Sequence, residues 1–180
     1  FLGLEKNRVR IIQAETGGGF GGKLDVSVQP YLGLAAWLLK RPVRLAYSRE
    51  ESILATGKRH PISLKYTTGA DETGRLTGIK VDILGDTGAF ASYGLAVAMR
   101  AMTHACGPYF VPHVKVRSRL AYTNNPWAGA MRGFGVPQAA FGHEGQMDSL
   151  ADALGLDRLD IRLINALRPG QQTATGQVLD

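Results

Sequence analysis

The sequence predicts an α+β fold, mixed sheet layers with packed helices. Three observations carry the prediction. Several segments alternate apolar and polar residues with β-branched side chains, the mark of half-buried strands. Others place apolar residues at helical spacing. The two kinds do not follow each other in the strict β-α-β order of a doubly wound sheet.

In chain order, Phe1–Glu5 reads as the tail of a helix, and Arg8–Glu15 as a strand running into a glycine-rich loop. Leu24–Lys40 carries Val28, Leu32, Ala35, Trp37, Leu38 and Leu39, a mostly buried helix halted by Arg41-Pro42. Pro42 opens a strand to Ser48, and a short acidic helix follows near Arg49–Ala55. Ile62–Ala70 and Leu76–Gly85 alternate on either side of Asp71-Glu72-Thr73-Gly74, a hairpin that forms a second β layer. A helix near Leu95–Ala105, a strand Val114–Thr123 and a turn at Asn124-Asn125-Pro126 come next. In the last third Ala140, Met147, Leu150, Ala151 and Leu154 share a helix face that ends at Gly155. Asp157 can N-cap a final helix to about Leu167, and the tail from Pro169 has too few apolar residues to fold alone.

With 180 residues, 44% hydrophobic and 20% charged, the chain has the length of one globular domain or of two small ones. No apolar run approaches the roughly 18 residues of a membrane helix, so no membrane is expected. A single cysteine, Cys106, excludes an internal disulfide, a CxxC pair and an all-cysteine metal site. The net charge of +6 is scattered, without the clustered basic and aromatic pattern of a nucleic-acid binder; it suits an anionic cofactor or an acidic neighbour. The start at Phe1 rather than Met suggests an internal piece of something longer.

Residues 17–22 hold five glycines around Phe20, a loop whose N–H groups can approach a bulky anion with no side chain in the way. Gly17, Gly22 and Lys23 satisfy the P-loop spacing, but Leu24 stands where magnesium binding needs a hydroxyl. Gly17, Gly19 and Gly22 also satisfy GxGxxG, yet the acidic partner about 20 residues on is missing. His60, His104, His113 and His143 are too dispersed for a metal triad, and Asp86 between glycines reads as a turn-former.

Gly17-Gly18-Gly19-Phe20-Gly21-Gly22-Lys23 resembles the GGGFGGK loop of the xanthine dehydrogenase/aldehyde oxidase (molybdenum hydroxylase) family. Pro42-Val43-Arg44, Ser48-Arg49-Glu50-Glu51, Lys58-Arg59-His60-Pro61, Gly85-Asp86-Thr87-Gly88-Ala89, Ala130-Met131-Arg132-Gly133-Phe134-Gly135-Val136-Pro137-Gln138 and Arg162–Leu167 follow in the family's order. The resemblance implies that residues 1–168 are part of the molybdenum cofactor-binding domain of the large subunit, and that 169–180 lead to the next domain. It implies a molybdopterin cofactor, expected in the cytosine dinucleotide form, held near Gly18, Gly19, Phe20, Gly21 and Arg132. Phe20 and Arg132 would face the molybdenum through their backbone without ligating it.

By the same resemblance Phe134 packs against a substrate ring and Arg100 meets substrate heteroatoms. Leu24 replaces a glutamate of the purine hydroxylases, and a leucine can neither donate nor accept a hydrogen bond, so an aldehyde or a less polar N-heteroaromatic suits it better than xanthine. The implied activity is oxidation of a C–H carbon with water-derived oxygen, in the cytoplasm. Electrons would leave through 2Fe-2S and FAD groups on partner domains or subunits. The catalytic base, a glutamate in a Gly-Glu-Gly-type motif, is expected outside this chain, and Glu50, Glu51 and Glu144 do not take that role. The fragment alone is then expected to be inactive; a non-catalytic cofactor-binding or assembly module and a P-loop-like nucleotide-binding domain are the alternatives.

Overall fold

The computed structural model describes residues 2–180. Its centre is a hairpin. β1 (Ile62–Ala70) and β2 (Leu76–Gly88) pair antiparallel, with Leu64 opposite Ile83 and Tyr66 opposite Val81. The turn between them is closed by Asp71, whose Oδ1 accepts from Thr73 N–H at 2.9 Å and Arg75 N–H at 3.0 Å, and by Gly74 at φ 85°. An Asx side chain followed by a left-handed glycine is what such a turn requires.

β2 continues three residues beyond the expected Gly85 and leads through α3 (Gly94–Thr103) to the third strand; the other helices are α1 (Gln29–Leu39), α2 (Arg49–Ala55), α4 (Val136–Leu154) and α5 (Arg158–Asn165). β3 (Val114–Tyr122) lies parallel to β2, so the sheet is mixed, in the order β1-β2-β3. A parallel neighbour needs a crossover, and α3 supplies it.

One sheet face carries Leu64, Tyr66, Val81, Ile83 and Val116, and it packs under α3 and α4. The core comprises Ile79, Val81, Ile83, Ala101, Ala105, Met147 and Ile161, all nearly or fully buried. Tyr66 Oη crosses it to donate to Ala105 C=O at 3.0 Å. Asp157 caps α5 as expected, accepting from Leu159 and Asp160 N–H, while Gly155 at φ 67° ends α4. α5 stops at Asn165, two residues before the expected end, because Asn165 turns inward: it accepts from Leu76 N–H and donates to Gly74 C=O, both at 2.8 Å.

The N-terminal third departs from expectation. Residues 9–15 and 42–48 form no strand; among the described residues there is one sheet, and neither segment borders it. An extended segment without a neighbour has nowhere to place its N–H and C=O groups except water. α1 is shorter than expected and has no buried residue. Its apolar side lines an open groove of about 730 Å³ with Leu4, Val9, Ile11, Leu32 and Trp37. Residues 2–5 are not helical and precede a single 3-10 turn at Lys6–Arg8; Phe1 lies outside the described residues. The tail closes on itself through Gly170 N–H to Leu179 C=O at 2.9 Å and Leu179 N–H to Gln171 C=O at 3.0 Å.

Candidate functional site

Two glycine-rich turns meet at one end of the core. The second, Ala130–Gly135, enters from β3 and is stitched down on its way: Ala128 N–H donates to Thr87 C=O at 3.1 Å and Gly129 N–H to Lys58 C=O at 2.9 Å. Gly133, Phe134 and Gly135 then all have positive φ, at 88°, 52° and 99°. A Cβ on Gly135 would strike the α3 backbone at Val97 and Ala101, so this turn presses directly on the helix that carries Arg100.

The first turn, Gly17–Lys23, docks on the second. Phe20 C=O accepts from Arg132 N–H at 2.8 Å. Beneath it Gly21, at φ 95°, lies so close that a Cβ there would sit 2.8 Å from Ala130 C and O. Further on Asp25 Oδ2 accepts from Ser92 Oγ at 2.8 Å, tying the loop's exit to the entry of α3. Phe20 is itself left-handed, at φ 48°, a conformation that costs a non-glycine residue about 1–2 kcal/mol. Phe134 is the second such phenylalanine, and strain of this kind concentrates at functional sites.

The backbone N–H groups of Gly18, Gly19, Phe20 and Gly21 have no acceptor among the described residues. Phe20 is 64% exposed, which removes plain core packing as its purpose. Phe134 meets Tyr93 edge-on with ring centroids 6.0 Å apart, so two aromatic rings flank the same turn. Arg132 contributes differently from Phe20: its N–H is taken by Phe20, its C=O accepts from Arg59 Nη2 at 2.7 Å, and its side chain is exposed without a hydrogen bond. Arg100 is exposed on α3 with no ion pair among the described residues, and Leu24 is 58% exposed at the loop's end. The structure thus brings Gly18, Gly19, Phe20, Gly21, Arg132 and Phe134 into one assembly; Leu24 and Arg100 stand at its margins.

Four contributors carried no signal as site residues in the sequence: Arg59, Ser92, Tyr93 and Gln138. Asp25 directs its carboxylate to Ser92 at the entry of α3, Oδ2 accepting from Ser92 Oγ. The P-loop and dinucleotide readings lose their structural context. Among the described residues no strand precedes the loop, α1 begins only at Gln29, and Lys23 Nζ folds back onto Gly18 C=O at 2.5 Å.

Other titratable groups serve the fold. Burial holds the imidazoles of His60 and His143 below the usual histidine range and raises the Cys106 thiol to about 11, leaving it protonated. Asp86 accepts from Thr123 Oγ1, Gly88 N–H and Asn125 Nδ2, the turn-forming role its position suggests. No group of three metal-ligating side chains occurs among the described residues. No helix among them is long and apolar enough to cross a membrane.

Comparison with known proteins shows the family of the chain. Residues 1–166 match the family model of the molybdopterin cofactor-binding domain. The large molybdopterin subunit of nicotinate dehydrogenase from Eubacterium barkeri is 56% identical over 179 residues, which is 99% of this chain and 42% of that subunit. The xanthine dehydrogenase molybdenum-binding subunit of Escherichia coli O157:H7 is 41% identical over 166 residues, 90% of this chain and 22% of that protein. Among solved structures, aldehyde oxidoreductase from Desulfovibrio gigas superposes with a TM-score of 0.84 at 35% identity, covering 90% of this chain and 18% of the other. The chain therefore spans less than half the length of these relatives, which are named as oxidoreductases. By the extent of the family match and by these likenesses, the chain belongs to the molybdopterin cofactor-binding domain family.

Proposed function

We propose that this chain forms the loop-side wall of a molybdopterin site in a hydroxylase that oxidises an N-heteroaromatic or an aldehyde at carbon. The observation that carries the reading is the junction of the two turns at the Phe20–Arg132 hydrogen bond, beside which the N–H groups of Gly18, Gly19, Phe20 and Gly21 have no acceptor among the described residues. Such a row of donors fits the anionic oxygens of the cofactor, and no side chain on the glycines obstructs their approach. A bound molybdopterin supplies the two-electron redox chemistry of the C–H oxidation.

The residues of this chain bind and orient. Gly19 and Phe20 N–H would hold the cofactor in place, and Gly18 and Gly21 would keep the approach open. Phe134, backed by Tyr93, offers a ring face to a flat substrate. Arg100 places a cation toward negative charge on the heterocycle. Leu24 gives a purine no hydrogen-bond partner. The 56% identity to a nicotinate dehydrogenase subunit favours an N-heteroaromatic over an aldehyde.

On this reading the base lies outside residues 1–180, and Glu50, Glu51 and Glu144 are held in local contacts. Glu51 closes the α2 capping box with Ser48, Glu50 accepts from Ser48 Oγ, and Glu144 accepts from Tyr109 and Arg162. On this reading residues 1–168 are part of the cofactor domain and 169–180 lead to the next. The cofactor is the cytosine dinucleotide form, 2Fe-2S and FAD groups on partner domains or subunits carry electrons away, and the complex is cytoplasmic.

The test is molybdenum analysis by mass spectrometry, with chromatography of the released pterin, on the full-length protein purified with its partner subunits. Near-stoichiometric metal with pterin cytosine dinucleotide is expected. Metal-free protein from a host that loads a known hydroxylase would overturn the reading and leave a non-catalytic assembly module in its place.

A further inference from the structure

We propose that Arg59 is the positioning residue of this site, setting the aim of the Phe20 backbone through Arg132; the inference rests on the molybdopterin reading above. Arg59 has a fixed base. Lys58 C=O accepts from Gly129 N–H at 2.9 Å, His60 is 2% exposed, and Pro61 C=O accepts from Asp86 N–H at 2.9 Å. From there the guanidinium reaches Arg132 C=O, with Nη2 at 2.7 Å. Gln138 braces it: Gln138 Oε1 accepts from Arg59 Nη1 at 3.5 Å, and Gln138 Nε2 donates to His60 C=O at 3.1 Å. Arg59, His60, Arg132 and Gln138 thus close one bracket across the start of β1, the second turn and the first turn of α4.

The turn needs such a bracket. With Gly133, Phe134 and Gly135 all left-handed, it has no regular ladder and holds itself through Phe134 N–H to Met131 C=O at 2.8 Å and Val136 N–H to Gly133 C=O at 3.1 Å. Among the described residues Arg59 is the donor to Arg132 C=O, and a bond from a cation is stronger than one from a neutral donor. Holding that carbonyl fixes the orientation of Arg132, and with it the N–H that Phe20 C=O accepts at 2.8 Å. Phe20 is therefore held in its left-handed state from a distance, by a side chain that itself meets only backbone and an amide.

The experiment compares Arg59→Met, Arg59→Lys and Gln138→Leu in the full-length protein with its partner subunits. Amide hydrogen exchange is read in cofactor-free protein, then molybdenum content, kcat and KM in the loaded enzyme. In Arg59→Met, exchange should rise roughly tenfold in peptides covering 17–25 and 128–137, while β1, β2 and the rest of α4 keep their protection. The loaded variant should lose roughly tenfold or more in kcat with little change in KM, as expected when a positioned donor is misaimed. Arg59→Lys should recover part of both effects. Wild-type exchange in those two segments, or equal loosening of the whole core, would overturn the proposal. If Arg59→Met does not accumulate folded, Gln138→Leu should show the same local pattern in weaker form, and unchanged exchange at 128–137 there overturns it too. Absence of molybdenum from the wild-type protein would sink the molybdopterin reading alone, because the exchange comparison in cofactor-free protein still decides the role of Arg59.

Discussion

The carbonyl of Phe20 accepts the backbone N–H of Arg132 at 2.8 Å, while the N–H groups of Gly18, Gly19, Phe20 and Gly21 have no acceptor among the described residues. Both residues lie in turns that contain a left-handed phenylalanine. The contact depends on glycine at position 21, where the loop backbone rests on Ala130.

Gly21→Ala should therefore be far more damaging than Gly17→Ala. At Gly21 a methyl group meets Ala130 backbone at 2.8 Å, and the left-handed φ of 95° adds about 1–2 kcal/mol. At Gly17 nothing lies within 4 Å of the added carbon. Melting temperature and molybdenum content of the full-length variants check this; equal behaviour of the two would contradict the docking geometry.

Leu24→Glu should change specificity without changing stability. Leu24 is 58% exposed, so a polar replacement costs the fold no more than about 0.5 kcal/mol. On the proposed function a glutamate there gives a purine a hydrogen-bonding partner, and kcat/KM for a purine should rise about tenfold or more relative to that for a less polar N-heteroaromatic such as nicotinate. Steady-state kinetics on both substrates decide the point, and an unchanged ratio would remove Leu24 from the substrate site.

Asn165→Ala should be among the most destabilising single changes in the chain. The amide is buried and serves Leu76 N–H, Gly74 C=O and Ile161 C=O, each at 2.8 Å. Removing it strands buried backbone groups at the hairpin turn, a loss of roughly 2–4 kcal/mol. Denaturant unfolding measures it, and a loss below about 1 kcal/mol would mean that the turn re-pairs with water.

Stability should fall as pH drops below the ordinary histidine value of 6.5. Burial lowers the pKa of His60 and of His143 in the folded state, so the unfolded chain binds protons first and acidification pulls toward it. The contribution is complete above 6.5 and is lost as pH falls toward the lowered folded values. Glu144 titrates in a lower window: burial pushes its carboxyl up, but hydrogen bonds from Arg162 and Tyr109 outweigh burial and hold it below 4.5. Unfolding curves of the wild type and of His60→Gln/His143→Gln between pH 5 and 7, taken in steps of about half a unit, should differ in slope, with the variant flatter.

Much of the second half of the chain was legible in advance because its signals are local. Asp71 and Gly74 specify a turn, Asp157 a helix start and Gly155 a helix end, and the alternation in Ile62–Ala70 matches a strand with one buried face. Arg59 was less legible. It could be seen as part of a motif, but its partner Arg132 is distant in sequence, and nothing in residue type says that a guanidinium will cap a carbonyl.

By itself, then, the sequence determined the α+β class, the hairpin, the capped helices and the glycine loop with its Phe20, since turn chemistry, capping and periodicity act over a few neighbouring residues. Tertiary structure decided the rest. Residues 9–15 and 42–48 have strand-like composition yet form no strand here, because a strand's hydrogen bonds belong to its neighbour as much as to itself. How the loop is seated was likewise decided from outside it, by the Arg132 N–H that claims Phe20 C=O and by the Ala130 backbone that only a glycine at 21 can approach.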